Sequence, residues 1–165
     1  MVYWGIAYGS GPNYIRQWGD FDDDEKQTCL NDAYEAVVNA KNNLEFANDI
    51  ESELIKALDT RYPKEASVED FDPWNDAFAD AIRQAYQKHP NDMDICTLFA
   101  EAIMNWTPWK LWDLPTGKPA AGADTLEAIE VLETAFDRLA DQGSKKHPGL
   151  LHMYIHLMEM SPYPE

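Results

Sequence analysis

Apolar residues recur at three- and four-residue spacing along most of the chain, which predicts helices in series. Residues 2–9 form a first short helix, stopped by the Gly9-Ser10-Gly11-Pro12 breaker. Residues 13–21 read as an aromatic-rich loop with Tyr14 and Trp18. Asp22, Asp23 and Asp24 open the second helix, where negative charge suits the positive end of the macrodipole. Its stripe is Leu30, Ala33, Tyr34, Val37 and Val38, and it runs to Lys41. A third helix spans Phe46 to Tyr62, with Ile50, Leu54, Ile55, Ala57 and Leu58 on one face, and Pro63 stops it.

Beyond a polar, acidic loop over residues 64–72, Pro73 suits the first turn of a fourth helix. That helix has Trp74, Phe78, Ala81, Ile82, Ala85 and Tyr86 as its apolar face and is closed by Pro90. Asn91 or Asp92 caps a fifth, with Ile95, Leu98, Phe99, Ala102 and Ile103 inward. Residues 107–121, with Pro108, Pro115, Pro119 and Gly117, form a long connection, a kind of segment that is often functional. Asp124 or Thr125 starts a sixth helix, ended by Gly143. A last helix runs from Pro148 to about Met160.

No segment alternates cleanly enough for a strand, so the expected class is all-α. The architecture expected is a TPR-like (tetratricopeptide-repeat-like) right-handed solenoid of antiparallel helix pairs, one domain over residues 1–165. Helix, proline-containing turn, helix is the logic of such arrays, which repeat every ~34 residues. The tripeptides Arg61-Tyr62-Pro63, Lys88-His89-Pro90 and Lys146-His147-Pro148 punctuate the chain in that manner, though at uneven spacing and without the repeat's consensus. The chain starts inside an apolar run and stops just after an amphipathic segment. The expectation is therefore a piece of a longer array, truncated at both ends, with apolar surface left uncovered over residues 2–8.

Composition narrows the partners. Thirty Asp and Glu against 13 Lys and Arg leave a formal charge of −17, which disfavours nucleic acid and anionic membranes and favours a basic or neutral protein or peptide partner. Hydrophobic residues make up 45%, too many for disorder. The N-terminal apolar run lacks a basic n-region and is too short to span a bilayer. Cys29 and Cys96 show no metal-ribbon spacing and read as reduced thiols. A cytoplasmic protein is expected.

Candidate chemistry concentrates in HPGLLHMYIHLMEMS, His147–Ser161. His152 and His156 lie four apart, so on a helix both imidazoles share a face and can chelate one ion. Glu159 shares that face, and His147 stands at the helix entrance. Such donors suit a divalent transition metal: zinc, copper, iron or manganese. The zincin motif is absent, because Met153 occupies the place of its general base. The alternative is that these are ordinary buried or groove-lining histidines. Glu101, on an otherwise apolar helix, is either solvent-edge or buried with a polar partner. Trp106, Trp109 and Trp112 either pin the long loop down or, with Trp4 and Tyr8, line a ligand groove. Asp20–Asp24 lacks the Gly and Glu of a calcium loop, which here are Glu25 and Asn31.

Three blocks carry a family resemblance: WGIAYGSGPNY (Trp4–Tyr14), the segment His89–Glu133, and His147–Ser161. They resemble the central part of a family of long TPR-domain proteins of fungi and bacteria. Members are several times this length, with helical repeats before the first block and a second histidine segment of HMPSHI type after the last. The resemblance implies a helical solenoid whose histidines resemble metal ligands, here His147, His152 and His156, and more weakly Glu101. Two functions follow as expectations: a helical scaffold for a protein or peptide, or a metal-dependent enzyme or its remnant. The metal reading requires His152 and His156 to face a cavity together, and Glu101 belongs to the site only if its carboxylate approaches them.

Overall fold

The computed structural model describes residues 1–143 and 146–163. It is mostly helical, about 65%. Among the described residues there are seven α-helices: α1 (Val2–Ser10), α2 (Asp23–Lys41), α3 (Asp49–Arg61), α4 (Asp72–Lys88), α5 (Met93–Met104), α6 (Thr125–Asp141) and α7 (Pro148–Met158). None of the helices is long and apolar enough to cross a membrane. The chain divides into two compact units, Met1–Ala85 and Tyr86–Glu165.

Side-chain caps set most helix starts. The Asp22 carboxylate accepts from Glu25 N, and Asn48 accepts from Glu51 N, each completing a reciprocal capping box. Asp92 caps α5 through Ile95 N at 3.0 Å. At α6 the left-handed Gly143 (φ 75°) follows the last turn. The third helix begins later than the apolar stripe suggests. Leu44–Phe46 is a short 3-10 turn, and Asn48 supplies the cap that Phe46 cannot. A second 3-10 turn, Trp18–Asp20, lies within the aromatic loop.

In the first unit α1 packs against α2 and α3, which also pack on each other. Ala7, Leu30, Ala33, Val37, Leu58 and Tyr62 are fully or almost fully buried there. In the second unit α5 packs against both α6 and α7, and α6 against α7. Ile95, Phe99, Ile103, Leu132 and Leu150 fill that core.

The long connection is not structureless. Trp112–Asp113 (β1) pairs antiparallel with Lys118–Pro119 (β2), in register Trp112 with Pro119 and Asp113 with Lys118. Two-residue strands show no alternation, so periodicity could not reveal them. Tertiary anchors hold them. The Trp112 indole donates to Leu157 O at 2.6 Å, and the buried Thr125 hydroxyl donates to Leu111 O at 2.6 Å.

Candidate functional site

The second unit carries the candidate site, and α7 is its base. Helix α7 buries Leu150, Met153 and Leu157, a three-four stripe that turns the intervening residues outward. Its start is capped by His147, whose Nδ1 accepts from Leu150 N at 3.3 Å, with Pro148 in the first turn. The His147 Nε2 lies 3.3 Å from Asp94 Oδ1. Helix α6 steadies the middle of α7, since Tyr154 Oη donates to Glu133 Oε1 at 3.0 Å and Phe136 meets the Tyr154 ring edge-on. Burial, then the Glu133 carboxylate, push the Tyr154 phenol above its ordinary range.

On the outer face, His152 and His156 meet edge to face with ring centroids 4.7 Å apart. The His156 Nδ1 lies 3.1 Å from Glu159 Oε1, which orients that ring. His156 is mostly covered, with its side chain 13% exposed, whereas His152 is exposed. The Trp109 ring stands edge-on to His156 at 5.9 Å.

Trp109 joins this cluster to a cleft of about 670 Å³. The cleft is walled by Trp109, Trp112, Leu114, Pro119 and Met160, with Lys118 among its polar groups. Its size falls within the range of ligand-binding clefts. Trp109 is the one non-glycine residue among those described with positive φ, at 62°. A bulky side chain in that region costs of order 1–3 kcal/mol, and such strain collects at functional sites. The ring remains 42% exposed. The strain holds a large aromatic surface at the cleft wall and does not bury it.

Of the other candidates, Trp4 and Tyr8 lie outside the second unit. Glu101 is 9% exposed near the end of α5, so it is not on the solvent edge. Trp106 is half-buried, and Trp112 is buried with its N–H bonded. Trp4 and Tyr8 are in the first unit, stacked at 4.9 Å, with the Trp4 N–H donating to Leu54 O. The five aromatic residues therefore do not share one unit. Trp109 and Trp112 line the cleft, while Trp4 lines a cavity of the first unit. Leu114 and Met160 were not singled out as lining residues from the sequence, and Pro119 entered only as a proline of the long connection.

His147 caps α7 through Nδ1 with its Nε2 toward Asp94, and among the described residues no three His, Cys, Asp or Glu side chains form a group that could hold an ion. The cysteines are unpaired, Cys29 half-buried and Cys96 buried.

No protein-family profile, curated protein or solved structure matches this chain. What the chain does is therefore read from its own residues.

Proposed function

We propose that this chain is part of a TPR-like helical scaffold that binds a protein or peptide partner through the cleft of its second unit. The observation that carries the reading is Trp109, a strained, exposed indole shared between an apolar cleft and the His156–Glu159 pair. A protein without a use for that surface would gain by relaxing the backbone and burying the ring. The proposal extends to a right-handed solenoid of antiparallel helix pairs and to membership of the long TPR-domain family, supported by the packing of neighbouring helices within each unit and by the three resembling blocks. A cytoplasmic location belongs to it too, supported by the two free thiols.

The test is a displayed peptide library panned on the full chain, with recovered peptides then measured against Trp109→Gly. Glycine accepts the left-handed backbone, so the variant removes the indole without adding backbone strain, and circular dichroism checks that it folds. The expected result is a loss of affinity of about tenfold or more, equivalent to about 1.4 kcal/mol. Peptides that bind both forms equally would refute the cleft as the docking site.

A second reading, a metal-dependent enzyme or its remnant, is favoured by the contact between His152 and His156 and by Glu159 beside them. Zinc, copper, iron and manganese are the ions to test. Equal metal content in the wild-type chain and in His152→Ala/His156→Ala would remove it.

A further inference from the structure

We infer that α1 and the segment joining α2 to α3 form a second docking face, whose partner is a basic amphipathic helix. The inference rests on the reading of the chain as an interaction scaffold but uses a different surface from the cleft. Residues 1–15 contain no charged side chain. A helix apolar all round belongs in a core, yet Ala7 is the single buried residue of α1. Val2 is 78% exposed, and Tyr3 and Ile6 are exposed beside it. Because α1 already packs on α2 and α3, this uncovered side is what its own unit leaves over.

Phe46, in the 3-10 turn before α3, is also 78% exposed. Tyr3 and Phe46 line one cavity with Trp4, Ala40, Ile55 and Glu51. Its volume is about 150 Å³. A cavity of that size takes a benzene-sized group, so it suits one Leu or Phe anchor. Contiguous exposed apolar surface around such a pocket marks an interaction site.

Charge selects the partner. Between residues 42 and 55 the chain carries Glu45, Asp49, Glu51 and Glu53 and no Lys or Arg. The flanking Lys41 and Lys56 are engaged by Asp59 and Glu53. The apolar face is therefore bordered by the carboxylates of Glu45, Asp49 and Glu51, which favour a cationic partner. A second copy does not serve, since two chains of charge −17 would bring like rims together. A helix with apolar anchors at three-four spacing and Lys or Arg alongside satisfies both features.

The test uses a Leu/Lys amphipathic helical peptide of about four turns as probe. A scrambled peptide of the same composition serves as control, and binding to the full chain is followed by fluorescence anisotropy. Saturable binding of the helical peptide is expected, falling about tenfold or more for Tyr3→Ser/Phe46→Ser and several-fold for Glu45→Lys. All three side chains are exposed, so folding should be kept, and circular dichroism checks it. Equal binding of the scrambled peptide, or of Tyr3→Ser/Phe46→Ser, would overturn the inference. So would a dimer, seen by sedimentation, that Phe46→Ser dissolves, since it assigns the face to a second copy. Loss of probe binding in Trp109→Gly would also overturn it, moving the probe to the cleft and leaving that reading intact. Peptides selected on the cleft should bind Tyr3→Ser/Phe46→Ser unchanged, which separates failure of one surface from failure of the other.

Discussion

Replacing Gly11 with alanine should be among the most damaging single-methyl changes in the first unit. The backbone there is extended (φ −98°, ψ −168°), so alanine meets no conformational penalty. The obstacle is Tyr62. A Cβ on residue 11 would stand 1.7 Å from Tyr62 Oη and 2.8 Å from Cζ, whereas ordinary contact starts at 3.4 Å. The phenol has nowhere to go, since Tyr62 is 0% exposed at the end of α3. Its neighbour Arg61 is also locked, donating to Pro12 O at 2.7 Å and lying over the Phe78 ring at 4.6 Å. Overpacking of this kind costs about 1–3 kcal/mol, and more where the surroundings cannot yield. For a unit of this size that lowers Tm by roughly 5–20 °C. Among the described residues the Tyr62 hydroxyl has no hydrogen-bond partner, so Tyr62→Phe alone should be nearly neutral. The double variant Gly11→Ala/Tyr62→Phe should recover only part of the loss, because Cζ remains too close. Differential scanning calorimetry of the four proteins gives the coupling energy directly. A Gly11→Ala protein melting within a degree of wild type would refute the reasoning.

Three further outcomes can be checked. His147→Ala should lose about 1 kcal/mol in urea unfolding, with His147→Asn restoring most of it, because the contribution assigned to His147 is an N-cap that Asn also makes; a loss that Asn does not restore would contradict this. Burial pushes the Cys96 thiol up to about 11 from an ordinary 9.0. The unfolded chain gives up that proton first, so the stability tied to it is whole below about pH 9 and is lost as the pH climbs toward 11. The loss is up to about 2–3 kcal/mol, and Cys96→Ala should flatten it. Half-buried Cys29 should also react with thiol reagents well before Cys96 does, and equal labelling rates would contradict the burial assignment.

Much of the helical plan was legible in the chain, and little of the site was. The starts of α2 and α5 were readable because Asp22 and Asp92 act within a few residues of themselves. The Gly9–Pro12 breaker was readable too, but only as a stop signal. That Gly11 must be glycine depends on Tyr62, which no local pattern connects to it. Likewise, the HxxxH spacing announced that His152 and His156 share a face. It could not announce that Glu159 orients one ring, that Trp109 covers its edge, or that His147 is used as a cap.

The division has one physical cause. Periodicity, caps and breakers report interactions between residues about four apart, and these suffice for helix, turn and apolar stripe. Which stripes stay uncovered is set by long-range packing. Uncovered apolar surface over residues 2–8 was expected from the chain, and Val2, Tyr3 and Ile6 are exposed, but which side of α1 meets α2 and α3 is decided by packing. The β1–β2 turn is closed locally, with Asp113 O accepting from Thr116 N and Gly117 N, but two-residue strands leave no periodic pattern; β1 is also held from α7, by a bond from Trp112 to a carbonyl 45 residues away.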